Sequence, residues 1–197
     1  MITHFDQLDL SKQYSYADYL TWKFQERVEL IKGFVLKMCP APNRIHQLIG
    51  GNLHTEFNNY LKHKDCDVYM APFDVRLLDS KKTNIKNSTV FTVVQPDVCV
   101  VCDSNKLDVQ GCLGAPDLVI EIISKGNTKH DLERKFELYQ ENEVKEYWIV
   151  FPTEQTISVF DLVNQKFQLR KMYSSDDIVP VNVLKDFSIN LKEVFID

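Results

Sequence analysis

Two carboxylates and an amine stand where the surrounding pattern is otherwise apolar: Asp97 in QPDVCVV, Glu121 in APDLVIEIIS and Lys135 in DLERKFELYQ. An unpaired carboxylate on a sheet among apolar neighbours carries a heavy desolvation penalty or stays protonated. A divalent cation removes that difficulty. Mg²⁺ (or Mn²⁺) binds through one or two carboxylates and keeps waters for substrate and nucleophile. A lysine beside such an ion can hold or polarise the attacking water and stabilise charge developing on a phosphate. The three residue types together suggest metal-dependent phosphodiester hydrolysis, with Asp97 and Glu121 as metal ligands and Lys135 as the assisting amine.

The elements that must position them follow from periodicity. Asp117 to Ser124 reads as a buried strand, with Leu118, Ile120, Ile122 and Ser124 on one face and Asp117, Val119, Glu121 and Ile123 on the other. Asp97 shares a face with Cys99 and Val101 of the preceding strand, so neighbouring strands would bring the two acids together. Asp117 shares Glu121's face and either supports the site or only begins the strand. After a polar turn, Thr128-x-x-Asp131 resembles a capping box for a helix running to about Glu141. On it Leu132, Phe136 and Tyr139 form the buried stripe, with Lys135 on its flank. Taken alone, that lysine reads as a snorkelling side chain; beside Asp97 and Glu121 it reads as part of the site. Tyr139, Glu146 and Trp148 read as packing residues.

Upstream, Ser15–Gln25 has helical character, and RVELIKGFVLKMCPAP reads as two short strands around Lys32-Gly33, ended by Pro40 and Pro42. Asn43 is placed to cap a helix over 44–63, whose apolar stripe includes Ile49, Leu53 and Phe57. His46 falls on the same arc and so points inward. DVYMAPFDVRLL and VFTVVQPDVCVVCD each read as extended, joined as a hairpin by a loop carrying Lys81, Lys82 and Lys86. That loop is read as solvated, with contact to a phosphate backbone the lesser alternative. SNKLDVQGCLG reads as a second polar connector. VKEYWIVFP is a strong strand, TISVFDL and KFQLRKMY form an antiparallel pair around Val163-Asn164, and the tail adds short strands at one end of the sheet.

At 197 residues with 44% hydrophobic and 26% charged composition, one globular domain over 1–197 is expected. A net charge of -5 argues against a nonspecific coat on nucleic acid but permits a local basic rim. The five cysteines show no disulfide framework. Cys99 and Cys102 form a C-x-x-C, but on a strand they point to opposite faces, so buried, reduced core cysteines are expected. No apolar run approaches the ~20 residues of a membrane span, and a cytoplasmic location is expected.

QPDVCVV, then APDLVIEIIS, then D-L-x-x-K-x-x-x-Y and EYWIV, in that order, resemble the Uma-type restriction endonucleases, a branch of the PD-(D/E)XK nuclease superfamily. The likeness extends to VELIKGFVLKM and the His46 helix, covering about residues 15 to 165. It implies an α/β (α+β) fold: a restriction-endonuclease-like mixed central sheet flanked by helices, here with a C-terminal antiparallel strand extension. It further implies a Mg²⁺-dependent site in which Asp97 and Glu121 match the motif acids. The motif lysine would stand at Ile123, so Lys135 looks like its replacement from the next helix. His46 matches a family histidine and would touch a phosphate or the nucleophilic water; a core histidine is the equal alternative. Glu29 matches E-L-I-x-G and either adds a metal-side carboxylate or is a surface strand residue. The implied partner is nucleic acid, DNA in the first instance, with a homodimer common for the fold. The second functional reading, prompted by Ile123, is a nuclease fold without chemistry, acting as a nucleic-acid-binding or assembly module.

Overall fold

The structure is a computed structural model and describes residues 2–38, 43–78, 86–124 and 129–196. Pro40, Pro42, Lys81, Lys82 and the capping position Thr128 lie outside the described residues.

After a 3-10 turn at Phe5–Gln7 comes one helical turn, α1 (Tyr16–Tyr19), capped by Ser15, in place of the longer helix that its aromatic spacing suggests. The hairpin β1 (Val28–Ile31) and β2 (Phe34–Lys37) turns at Lys32 and Gly33, both with positive φ, as a two-residue turn of this hand requires. Helix α2 (Arg44–Leu61) begins where the Asn43 side chain accepts the His46 N–H, as its sequence position indicates.

The next two long extended stretches each break in the middle. DVYMAPFDVRLL yields β3 (Asp67–Met70) and β4 (Asp74–Leu77), separated at Pro72; VFTVVQPDVCVVCD yields β5 (Thr92–Val94) and β6 (Val98–Val101), separated at Pro96. Proline has no N–H for a ladder, so pairing ends there. Each half joins a different sheet. The polar connector is not merely a loop: it forms a small hairpin, β7 (Leu107–Asp108) and β8 (Gly111–Leu113). Gly111 is obligatory here, since a Cβ would meet the Asp74 carbonyl oxygen of β4 at 2.2 Å. Then follow β9 (Leu118–Ile122), α3 (Lys129–Glu141), β10 (Glu146–Phe151), β11 (Thr156–Val163), β12 (Lys166–Ser174), β13 (Ile178–Pro180) and β14 (Ser188–Asn190).

Among the described residues, two six-stranded sheets result. One has the order β2-β1-β5-β4-β8-β7, the other β12-β11-β10-β9-β6-β3, and β13-β14 make a separate pair. The second sheet is mixed: β9 and β10 run parallel through the crossover helix α3, while β6 lies antiparallel to β9 and β3 to β6. Its one face carries Leu118, Ile120, Val98 and Val100 against Leu53 and Phe57 of α2 and against the C-terminal strands. Its other face, with Val119, Cys99 and Tyr147, meets Leu138 and Tyr139 of α3 and Val75 and Val94 of the first sheet. The result is a mixed α+β fold, with the expected helices on the two faces of a mixed sheet.

One expectation about cysteine fails. Cys99 and Cys112 are free and buried, but Cys66 and Cys102 form a disulfide. The β3–β6 register pairs Asp67 with Val101, so one step further sets Cys66 opposite Cys102. Alternation along a single strand does not reveal that cross-strand partner. Among the described residues, no helix is long and apolar enough to cross a membrane.

Candidate active site

The site forms where the chain passes from the first sheet to the second. Gln95, Pro96 and Asp97 connect β5 to β6, and the β6–β9 register, which pairs Val98 with Ile120, sets Asp97 opposite Glu121 one step further on. Residues opposed in an antiparallel pair project from the same face. Both acids therefore enter one cleft, which is also lined by Glu29, His46, Ile123 and Lys135.

Each acid is held. Asp97 Oδ2 accepts the Ile122 N–H at 2.7 Å and lies 3.2 Å from His46 Nε2. Glu121 Oε1 accepts from Tyr139 Oη at 2.6 Å and from Lys135 Nζ at 2.9 Å. The same ammonium stands 3.2 Å from Oε1 of Glu29, which also accepts the Gln95 N–H at 2.9 Å. Lys135 thus bridges a carboxylate from each sheet. Its side chain is 15% exposed and points into the cleft, so it does not snorkel.

Charge in this small volume shifts the protonation of its members. Burial raises the Glu121 carboxyl to about 7; Lys135 opposes the shift, Asp97 and Glu29 add to it, and the Tyr139 hydrogen bond opposes it. Burial disfavours charge on Lys135 as well, but Glu121 and Glu29 overcome it and hold the amine protonated. Burial likewise works against a charged His46. The hydrogen bond to Asp97 and the Asp97 charge, with Glu121 and the backbone at Ile122, carry its pKa above the ordinary histidine value.

Asp117, on the same strand face as Glu121, does not reach the cleft. It lies four residues away, where its carboxylate takes Lys145 Nζ at 2.6 Å and the Cys102 N–H at 2.8 Å. It is an anchor at the far end of the strand. Glu29 is buried, at 5% exposure, because α3 and the cleft cover that face of the β1–β2 hairpin; it is not a surface strand residue. Tyr139, read from the sequence as packing, is buried in the core and in addition donates its hydroxyl to Glu121 in the cleft. Its signal was a phenolic hydroxyl in an otherwise apolar helix stripe, since a buried hydroxyl needs a partner. Glu146 and Trp148 do belong to packing: Trp148 Nε1 donates to Glu146 at 2.9 Å, away from the cleft.

Residues 16–192 match the profile of the Uma2 family, described as "Putative restriction endonuclease". The chain belongs to the Uma2 family. It is 28% identical over 163 residues to the "Uncharacterized protein slr1290" of Synechocystis sp., covering 81% of this chain and 80% of that one. It also superimposes on the crystal structure of a "putative nuclease belonging to DUF820" from Anabaena variabilis, with a TM-score of 0.69 and 19% identity over 92% of this chain and 97% of the other. At that identity the likeness speaks for the fold. Family and fold together place this Uma2 chain with the restriction-endonuclease-like proteins.

The donor set of this Uma2 cleft is chemically selective. Among the described residues, no three or more His, Cys, Asp or Glu side chains gather as a ligand cage. Two opposed carboxylates with room for water are what Mg²⁺ takes. Burial raises the Glu121 carboxyl to about 7, and a cation would relieve the Asp97 and Glu29 charges that add to that rise.

Proposed function

We propose that this protein is a metal-dependent endonuclease that hydrolyses phosphodiester bonds in DNA. The observation that carries the reading is the opposition of Asp97 and Glu121 on one sheet face, with the Lys135 amine 2.9 Å from Glu121 in the same cleft. Asp97 and Glu121 are the residues that would hold Mg²⁺. The ion, when bound, supplies Lewis acidity and lowers the pKa of its water. Lys135, held protonated, stabilises the charge that gathers on the phosphoryl oxygens and orients the attacking water. Ile123 lines the cleft at the position of the motif lysine, and the amine from α3 stands in for it. His46, with Nε2 on Asp97, is a positioning residue for that carboxylate. Arg27, Lys37 and Arg134 also line the cleft and offer a local basic rim for a phosphate backbone on a protein of net charge -5.

The test is nicking of supercoiled DNA in Mg²⁺, in chelator, and with Asp97→Asn and Glu121→Gln, whose folds are checked by circular dichroism. Cleavage by the wild type in Mg²⁺ alone, lost in both variants, is expected. If Glu121→Gln cuts at the wild-type rate, the mechanism is wrong. Wild-type binding to DNA with no cleavage over long incubation would select a binding module on a nuclease fold.

A further inference from the structure

A second concavity opens beside the cleft and is continuous with it. Ile31, Leu36 and Arg134 line both. The groove has a volume of about 340 Å³ and runs between the β1–β2 hairpin and α3, with Phe34 and Leu138 completing its apolar walls. The register explains the continuity. Ile31 pairs with Phe34 and Glu29 with Leu36, so these four side chains share one face of the hairpin. The cleft end of that face is Glu29; the other end is Phe34. On α3, Arg134, Leu138 and Glu141 recur at i, i+4 and i+7 and so form the facing wall.

Two features define what fits there. Phe34 is 44% exposed and belongs to none of the buried core clusters, so its ring is open to the groove and to solvent. The far end carries Glu137 and Glu141, the latter 2.9 Å from Lys32. A second phosphate is unwelcome beside those carboxylates, whereas a flat neutral ring is not. Arg134, at the junction with the cleft, is the cation placed for the phosphate. The occupant is therefore anionic at the cleft and neutral and planar in the groove.

We propose that this groove is a nucleobase subsite, stacking on Phe34 the base of a nucleotide adjoining the scissile phosphate. The inference rests on the nuclease reading and deepens it. A base inside a duplex is stacked and paired and enters only when flipped out at a cost in free energy, so a strand with an unpaired nucleotide at that position is the preferred substrate.

The test reads binding rather than cutting. A fluorescent single-stranded DNA and its duplex are titrated against the protein in chelator, and a single abasic nucleotide is then moved along the strand. Single strand is expected to bind more tightly than duplex, and Phe34→Ala to weaken single-strand binding roughly tenfold, the usual worth of one base–aromatic stack. Phe34→Trp should restore it. An abasic nucleotide at one position should cost the wild type a similar factor and cost Phe34→Ala nothing. Binding with a flat abasic profile and an unchanged Phe34→Ala affinity overturns the subsite alone and leaves the cleft's chemistry standing. A protein that neither binds nor cuts any DNA overturns both.

Discussion

The hydroxyl of Tyr139 donates to Oε1 of Glu121 at 2.6 Å, the same oxygen that receives Lys135. The phenol is fully buried, so it holds the carboxylate in one orientation and favours its ionised form. Tyr139→Phe keeps the ring in the core and removes only that donor. A hydrogen bond to a charged group contributes about 1.5–3 kcal/mol, which is about one to two pKa units. The Glu121 carboxyl should therefore rise further above 7. In a pH–rate series, the acid limb of Mg²⁺-dependent cleavage should move up by about a unit, with the far-ultraviolet spectrum unchanged. An unmoved limb would reduce Tyr139 to packing.

Glu121 also makes metal affinity depend on pH. With its carboxyl raised to about 7, the metal-free protein is protonated there through the mildly acidic range. A folded-state value above the unfolded one means that this group's contribution to stability is full below the unfolded value of 4.5 and lost as pH rises toward 7. A bound cation reverses the preference, because it needs the anion. Calorimetric titration with Mn²⁺ should show affinity falling as pH drops below 7, with about half a proton released from Glu121 per ion at pH 7 and about one well below it. Affinity that is flat from pH 6 to 8 would remove Glu121 from the ligand set.

Lys135 balances Glu121 and Glu29 at 2.9 and 3.2 Å in a buried setting. Lys135→Met retains the stem and deletes the charge. Stranding buried carboxylates in this way costs about 3–5 kcal/mol, and the cost should grow from pH 6 to pH 8 as Glu121 ionises. Mg²⁺ should recover more Tm in this variant than in the wild type, since the ion then supplies the missing positive charge. Cleavage should fall by about two to three orders of magnitude, as for loss of other transition-state charge donors. A variant as stable as wild type at pH 8 would show that the bridge carries no energy.

His46 reports on the same balance from the other side. Its pKa lies above the ordinary value, so in metal-free protein its ring contributes stability below the unfolded value of about 6.5 that is lost as pH rises through the folded one. A cation at Asp97 competes for the oxygen that His46 now faces at 3.2 Å. The ring pKa, followed by nuclear magnetic resonance, should fall when Mg²⁺ is added. An unchanged titration curve would place the ion elsewhere.

The acids were legible in the sequence because a strand's side chains alternate, and one ladder then makes two carboxylates face each other. The helix flank carrying Lys135 was legible for the same reason, from a different period. What α3 would cover was not. Glu29 and Tyr139 join the site only through the packing of that helix across the β1–β2 hairpin and β9, a tertiary relation that neither segment encodes alone. Pro72 and Pro96 mark the points where the two long extended stretches change sheets, and the second of these crossings places Asp97 beside Gln95 and Glu29. Reading the stretches as continuous hid that junction. The Cys66–Cys102 bond was hidden likewise, because it depends on which strand pairs with β6.

Asp117 tests how far strand alternation can be trusted. It shares a face with Glu121, yet four residues of extended chain put it about 13 Å away, where it binds Lys145 Nζ and the Cys102 N–H. Asp117→Ala removes the acceptor of a backbone N–H in a buried setting and should cost about 1–3 kcal/mol. Urea denaturation should show that loss as a lower midpoint with an unchanged slope. Under conditions where the variant is fully folded, Mg²⁺ affinity and cleavage rate should equal those of the wild type. A loss of metal binding at intact fold would mean that the strand's far end takes part in the chemistry, and the cleft at the junction of the two sheets would then be an incomplete account of it.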